Sequence, residues 1–165
     1  MTELSAENAG TYARASFEGA VHATSIAING HGVLIAGPSG SGKSDLALRL
    51  VDRGAMLVSD DYTHVHAENG AVIASAPMTI KGMMEIRGIG IEPLPCVDHA
   101  KVALLVKALE PGMTAERIPL VPELRDICGV ALPLLRLGLL EASAPLKVEL
   151  ALARAIKPVS EQSTI

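Results

Sequence analysis

Short apolar runs of strand length alternate with glycine-containing turns over the first half of the chain. Residues 21–29 and 32–36 are apolar or β-branched and meet around Gly30 and His31, which predicts two adjacent strands. Behind a glycine-rich loop, apolar residues recur at helical spacing at positions 46, 47, 50 and 51, and Gly54 marks the end of the predicted helix. Residues 56–58 then form a short apolar strand. A strand, a glycine loop, a helix and a strand in this order are typical of an α/β domain.

The second half of the chain predicts more strands and one further helix. Residues 63–67 and 71–74 flank Asn69-Gly70, a dipeptide favoured in two-residue hairpin turns. Residues 102–109 are almost wholly apolar, as in a central strand, whereas three prolines between positions 117 and 137 predict loops and short pieces. A helix is predicted from Ser143 to about Ile156, with Pro145 in its first turn. Strands outnumber helices, so the predicted fold class is α/β with a mixed β-sheet.

Composition and charge narrow the functional classes. The chain has 165 residues, 49% hydrophobic and 19% charged, which predicts one globular domain over residues 18–165 behind a flexible tail over residues 1–17. The net charge of −4 and the scarcity of aromatic residues argue against nucleic-acid binding. The sequence has no apolar stretch of membrane-spanning length, no signal-peptide pattern and two widely spaced cysteines, Cys96 and Cys128. We therefore expect a cytoplasmic protein with reduced thiols.

The glycine-rich loop carries the first chemical signal. It matches the P-loop pattern G-x-x-x-x-G-K-[ST], in which glycines let backbone N–H groups approach phosphate oxygens. The following helix adds its positive end, the lysine reaches the β- and γ-phosphates, and the serine hydroxyl ligates Mg²⁺. The pattern therefore predicts an ATP and Mg²⁺ site. Its residues are Gly37, Pro38, Ser39, Gly40, Ser41, Gly42, Lys43 and Ser44.

Two acidic residues, Asp60 and Asp61, follow the strand predicted over residues 56–58. One carboxylate could hold Mg²⁺ and the other could take a proton from an attacking hydroxyl. Because neighbouring side chains on a strand point to opposite faces, both can serve one site only if the strand ends there. A solvated acidic turn without chemical function is the alternative interpretation.

These motifs stand in the order seen in bacterial HPr kinase/phosphorylase. The resemblance rests on His22, the loop 37–44, the Asp60-Asp61 pair and, above all, the run Glu-Ile-Arg-Gly-Ile-Gly-Ile over residues 85–91, which closely resembles that family's signature. It covers roughly residues 17 to 157, which correspond to the catalytic domain alone. The resemblance implies a P-loop fold akin to phosphoenolpyruvate carboxykinase. It also implies phosphorylation of a serine of the phosphocarrier HPr by Mg-ATP, the reverse phosphorolysis, and a homo-oligomer, typically a hexamer.

The resemblance also implies individual roles. Asp61 would accept the serine proton, and Asp60 would lie near the metal. Glu85 would help Ser44 hold Mg²⁺, and His22 matches an active-site histidine. Lys43 would act on the transferred phosphoryl group.

Two arginines are implied as active-site cations, Arg117 and Arg136. The Pro-Gly-Arg-Asn element that the family associates with dephosphorylation is replaced here by Leu135-Arg136-Leu137-Gly138, so kinase activity is predicted and phosphorylase activity is left open. Arg49 and Arg53, on the helix after the P-loop, are instead predicted to lie on its solvated face.

The predicted function is therefore an ATP-dependent serine kinase acting on HPr. Two alternatives share the P-loop. A small-molecule kinase would ordinarily carry an arginine-rich lid after the acidic residues, and none is evident in the sequence. An ATP-binding sensor without turnover would not need the intact Asp60-Asp61 pair. Turnover separates the sensor from the kinases, and the identity of the phosphorylated product separates the two kinases.

Overall fold

The computed structural model describes residues 18–119 and 121–157, so the tail predicted over residues 1–17 lies outside the described residues. Short extended segments and two helices make up this part of the chain. In chain order they are β1 Glu18–Val21, β2 Ala23–Ile28, β3 His31–Ala36, α1 Lys43–Asp52, β4 Met56–Ser59, β5 Thr63–Glu68, β6 Ala71–Ser75, β7 Met83–Ile86, β8 Gly90–Pro93, β9 His99–Ala108, β10 Leu124–Ile127, β11 Val130–Leu137 and α2 Ala144–Ala155.

Nine of these strands form one mixed sheet. Its main order is β1-β5-β6-β9-β3-β2-β4, and β11 joins β9 with β10 beside it. Strand β9 runs parallel to β3 and to β11, while β2 is antiparallel to both β3 and β4. It follows that β3, β4, β9 and β11 all point the same way and that their carboxyl ends meet at one edge. In α/β sheets this edge is where ligands bind.

The core has two parts because strand residues alternate between the two faces of the sheet. Val33 and Ile35 of β3 pack against the helices, together with Leu50 of α1 and Val148 of α2. Leu34 packs into a second cluster that contains residues of strands and loops only. That second cluster is enclosed because the sheet curls: β4 contacts β6, and β2 contacts β5, although neither pair is adjacent in the sheet.

The prediction of loops and short pieces over residues 117–137 is wrong for its second half, which forms the hairpin β10–β11. The hairpin turns at Cys128 and Gly129, which both have positive φ, at 53° and 79°. Pro133 is tolerated within β11 because the parallel pairing with β9 begins only at Leu134. A missing N–H at position 133 therefore interrupts no hydrogen bond of that ladder.

The strand predicted over residues 21–29 is divided in two at His22. Strand β1 pairs with β5, whereas β2 pairs with β3 and β4, so the chain changes partners at this residue. His22 thus lies at a bend and not within a strand. The signature run over residues 85–91 forms most of a separate two-stranded hairpin, β7–β8.

Both predicted helices are confirmed. Helix α1 begins at Lys43, directly after the glycine loop, and α2 carries a proline in its first turn as predicted. The two helices have 10 and 12 residues. Neither is long and apolar enough to cross a membrane.

Candidate active site

The glycine loop connects the carboxyl end of β3 to the first residue of α1. Gly42 is the residue before the helix, has φ 103°, and supplies no capping side chain, so α1 begins without a side-chain partner for its first N–H groups. Uncapped N–H groups at a helix start carry partial positive charge and bind anions. The sequence thus leaves this helix end open toward the loop, as a phosphate site requires.

Two glycines of the loop are required by its geometry. A Cβ atom at Gly37 would lie 2.6 Å from the Ser41 Oγ atom and 2.8 Å from the Ala108 Cβ atom. At Gly42 the positive φ already disfavours other residues, and a Cβ atom there would lie 2.7 Å from a methyl carbon of Leu140. Any side chain at either position would change the path of the loop.

The polar groups of the loop fit a polyphosphate. Lys43 is nearly buried, and its Nζ atom donates to the carbonyl oxygens of Gly37 and Pro38 at 2.8 and 3.3 Å, so the ammonium group is held over the loop. The Ser41 Oγ atom is buried and, within residues 18–119 and 121–157, makes no hydrogen bond. A buried hydroxyl without a partner is costly, and a phosphate oxygen would satisfy it. Triphosphate is therefore compatible with the residues present.

Arg49 binds residues 139–141, a segment that lies over the glycine loop. Its guanidinium donates to the carbonyl oxygen of Glu141 at 3.0 Å and also to that of Leu139, and these residues flank the Leu140 that covers Gly42. The prediction that Arg49 lies simply on a solvated face was therefore wrong. Sequence spacing could not reveal this contact because the partners are about 90 positions away.

Asp60 lies where the sequence placed a metal ligand. Its carboxylate is almost fully buried and accepts a hydrogen bond from the Ser44 hydroxyl at 2.6 Å and one from the Thr24 hydroxyl at 3.2 Å. A serine hydroxyl and a carboxylate oxygen are oxygen ligands of the kind that Mg²⁺ takes beside substrate phosphates. These two residues could hold that ion, and their role as metal ligands stays a prediction.

Glu85 contacts Asp60 through its backbone N–H group. The peptide N–H of Glu85 points to the second carboxylate oxygen of Asp60 at 3.4 Å, while its side chain is exposed. In the described part of the chain, no three His, Cys, Asp or Glu side chains converge in a metal-binding cluster. Mg²⁺ in nucleotide sites needs only one or two protein carboxylates, because phosphates and waters complete its shell.

Asp61 turns the chain sharply at the end of β4. Its φ is 63°, and the N–H of Tyr62 donates to the carbonyl oxygen of Asp60 at 2.7 Å, which closes a three-residue γ-turn around Asp61. Thr24 accepts the Asp61 N–H at 3.1 Å, and the Ser59 hydroxyl donates to the Tyr62 carbonyl oxygen. These contacts hold a turn with a sparsely populated φ, a kind of strain that is concentrated at functional sites.

The γ-turn directs the two carboxylates to different partners. Asp60 points inward to Ser44, and Asp61 points to His22, whose Nε2 atom lies 2.8 Å from the Asp61 Oδ1 atom. The His22 and Asp61 side chains are 41% and 53% exposed, so a large acceptor could reach them. The ring of Tyr62 stacks on the His22 ring with centroids 5.2 Å apart. The condition noted from the sequence, that the strand must end at the pair, is met.

Arg136 lies farther along the same edge of the sheet. The strand register aligns Ala36, Lys107 and Arg136 at the ends of β3, β9 and β11. The Arg136 guanidinium forms two hydrogen bonds to the carboxylate of Glu123, at 2.7 and 2.8 Å. These bonds hold the pKa of Glu123 below its usual value and raise that of Arg136. The cation is thus already paired with a carboxylate.

Arg117 is not tied to these residues by any hydrogen bond of the described chain. It lies in the exposed connection between β9 and β10, and no hydrogen bond or ion pair within the described ranges involves it. Thr24 and Tyr62, by contrast, contact the acidic pair and were not singled out from the sequence. Neither residue carries a local sequence signal, since Thr24 is defined by its bond to Asp61, 37 positions away, and Tyr62 by its stack on the distant His22.

Comparison with known proteins shows the family of this chain. The family model described as the HPr serine kinase C-terminal domain matches residues 14–153. A curated HPr kinase/phosphorylase of Lactobacillus acidophilus is 33% identical over 131 residues, which cover 73% of this chain and 41% of that protein. One from Geobacillus thermodenitrificans is 36% identical over 124 residues, covering 69% and 40%. The chain thus spans about two fifths of the length of these relatives.

A solved structure extends the likeness to the fold. The Hpr(Ser) kinase/phosphatase from Coxiella burnetii superposes with a TM-score of 0.71 and 33% sequence identity, covering 82% of this chain and 88% of that one. The predicted α/β fold class with a mixed sheet is confirmed. The family model matches most of the chain, and the P-loop and the acidic pair lie at one edge of the sheet. This chain belongs to the HPr serine kinase C-terminal domain family.

Proposed function

We propose that this protein transfers the γ-phosphoryl group of Mg-ATP to a serine of an HPr-type phosphocarrier protein. The single observation that carries the proposal is the γ-turn at residues 60–62. It directs one carboxylate to the P-loop serine and the next to an exposed histidine. A site with one carboxylate for the metal and one for an incoming hydroxyl is what phosphoryl transfer to a protein side chain needs.

The nucleotide would lie along the P-loop. The loop amides and the start of α1 would bind the β- and γ-phosphates, Ser41 would gain a partner for its buried hydroxyl, and Lys43 would move from the loop carbonyls to phosphate oxygens. Ser44, Asp60 and Glu85 are the residues that would hold Mg²⁺. The ion supplies charge neutralisation of the triphosphate.

Asp61 would remove the proton of the acceptor serine as its Oγ atom bonds to the γ-phosphorus. The bond between that phosphorus and the β–γ bridging oxygen breaks at the same time, and ADP leaves. His22, hydrogen bonded to Asp61, would hold the carboxylate toward the acceptor. The chain's own contribution is mainly positioning, as expected for phosphoryl transfer.

The arginines and the reverse reaction follow from the same proposal. Arg136 could contact phosphate through the N–H groups that Glu123 does not use, and Arg117 only if the connection between β9 and β10 lies over the site. Phosphorolysis of phosphorylated HPr by inorganic phosphate would use Asp61 as the proton donor. Location in the cytoplasm and assembly into a homo-oligomer, a hexamer as in the wider family, are further parts of this proposal.

Intact-mass measurement of purified HPr after incubation with this protein and Mg-ATP tests the proposal. The expected result is the gain of one phosphate, mapped to a serine by fragmentation. The matched controls are Lys43→Ala, which should abolish the gain, and Asp61→Ala, which should abolish it while still binding Mg-ATP. No mass gain despite tight Mg-ATP binding would refute the kinase assignment to HPr. It would favour a small-molecule kinase if ATP is consumed with another acceptor, and a sensor if it is not.

A further inference from the structure

We infer that Tyr62 is a positioning residue for phosphoryl transfer: its ring fixes the imidazole of His22 so that the Nε2 atom stays against Asp61. The inference rests on the proposed kinase function for its catalytic consequence. The Tyr62 side chain makes no hydrogen bond to the P-loop residues in the described chain, so its ring would act through His22.

The His22–Asp61 contact is weak by itself. Both side chains are about half exposed. An ion pair or hydrogen bond in such a setting contributes little, because water competes for both groups and each side chain loses rotamer freedom. The 2.8 Å distance between Nε2 and Oδ1 therefore needs a second restraint to be populated steadily.

Tyr62 supplies that restraint. Its ring lies 5.2 Å from the His22 ring, centroid to centroid, with an angle of 27° between the planes, which is a stacked arrangement. Stacking limits rotation of the imidazole about its Cβ–Cγ bond, since rotation would break the contact. Tyr62 is itself 51% exposed, so the ring is retained beside the site without being buried in a core.

The backbone of Tyr62 shows why the ring is held there. Its N–H donates to Asp60 and its carbonyl oxygen accepts from Ser59, so the main chain of this residue closes the γ-turn around Asp61. One turn therefore directs three side chains: Asp60 to the metal position, Asp61 to the acceptor, and Tyr62 over His22. Because the turn is held by backbone groups, the Tyr62 side chain can be changed without removing the turn.

Three variants test the inference: Tyr62→Ala, Tyr62→Phe and, as a control, Leu150→Ala, which truncates a side chain 67% exposed on α2. We expect Tyr62→Ala to lower kcat for HPr phosphorylation about fivefold, the factor expected for a stacked aromatic pair. KM for Mg-ATP and the melting temperature should stay unchanged. The stack needs only the ring, so Tyr62→Phe should restore kcat, and Leu150→Ala should match the wild type.

A second readout follows the His22 ring directly. In NMR spectra of the full chain, loss of the Tyr62 ring current should move the imidazole carbon-bound proton signals of His22 in Tyr62→Ala but leave them near their wild-type positions in Tyr62→Phe. Unchanged kcat in Tyr62→Ala would overturn the inference, and so would unchanged His22 signals. So would an equal loss in Tyr62→Phe, or a parallel rise in KM and fall in melting temperature, which would indicate a general structural role.

The two proposals fail in different ways. If the wild-type protein adds no phosphate to HPr, the proposed function is refuted, and the His22 signals still show whether the Tyr62 ring lies against that imidazole. If the wild type phosphorylates HPr and the His22 signals are unchanged in Tyr62→Ala, only the positioning inference is refuted.

Discussion

Replacing Asp61 by glycine and by alanine separates the backbone conformation of this residue from its chemical role. The φ of 63° at Asp61 lies in the left-handed region, which costs an alanine about 1 to 2 kcal/mol and a glycine nothing. Both substitutions lose the same exposed hydrogen bond to His22. The side chain is 53% exposed, so neither variant leaves a cavity.

The magnitude follows from two opposing terms. Glycine avoids the left-handed cost but has a more flexible unfolded chain, which destabilises it by about 0.4 to 1 kcal/mol relative to alanine. The difference favours Asp61→Gly over Asp61→Ala by about 1 kcal/mol in the free energy of unfolding. For a chain of this size that corresponds to a melting temperature roughly 2 to 4 °C higher for the glycine variant.

The assay is thermal or urea unfolding of the two variants, with phosphoryl transfer measured in parallel. Asp52, the last residue of α1, provides the control, because its φ is not positive and only the difference in unfolded-chain flexibility remains, which makes alanine the more stable of the pair by about 0.4 to 1 kcal/mol. Glycine should therefore be the more stable substitution at position 61 and alanine the more stable one at position 52. If alanine is the more stable residue at both positions, Asp61 does not have the left-handed backbone that directs Asp60 and Asp61 to different partners. Neither Asp61 variant should transfer phosphate.

Three further outcomes are expected. Lys43→Ala should fold, as judged by an unchanged circular dichroism spectrum, yet bind ATP at least tenfold more weakly in calorimetry, since it removes an ammonium group held over the loop. Asp60→Asn keeps an acceptor for Ser44 but removes its charge, so a Mg²⁺ titration of activity should show a higher half-saturating concentration; an unchanged value would exclude Asp60 as a ligand. Arg53 holds the pKa of Glu149 below its usual value of 4.5, chiefly through a hydrogen bond. A lowered carboxylate pKa adds stability above pH 4.5 that is lost as pH falls through the folded-state value, so Glu149→Gln should make unfolding less pH-dependent below pH 4.5 than in the wild type.

Most of the secondary structure could be predicted from the sequence because its signals are local. The P-loop glycines, the helical spacing behind them and the Asn69-Gly70 turn each depend on residues within one element or its neighbour. The place of strand β11 in the sheet could not be predicted in this way. Its Pro133 is tolerated only because the pairing with β9 begins one residue later, and strand pairing between positions about 29 apart carries no local signal.

The sequence by itself determined the phosphate loop, the order of the motifs and the presence of two adjacent carboxylates at the end of a strand. Only the tertiary structure decided what those carboxylates face. Thr24 and His22 come from a strand and a bend almost 40 positions earlier, and they fix the γ-turn and the direction of Asp61. The tertiary structure also paired Arg136 with Glu123 and left Arg117 exposed, with no hydrogen bond or ion pair in the described ranges. The physical reason is that side-chain direction at a turn is set by hydrogen bonds to distant elements, which exist only once the sheet has formed.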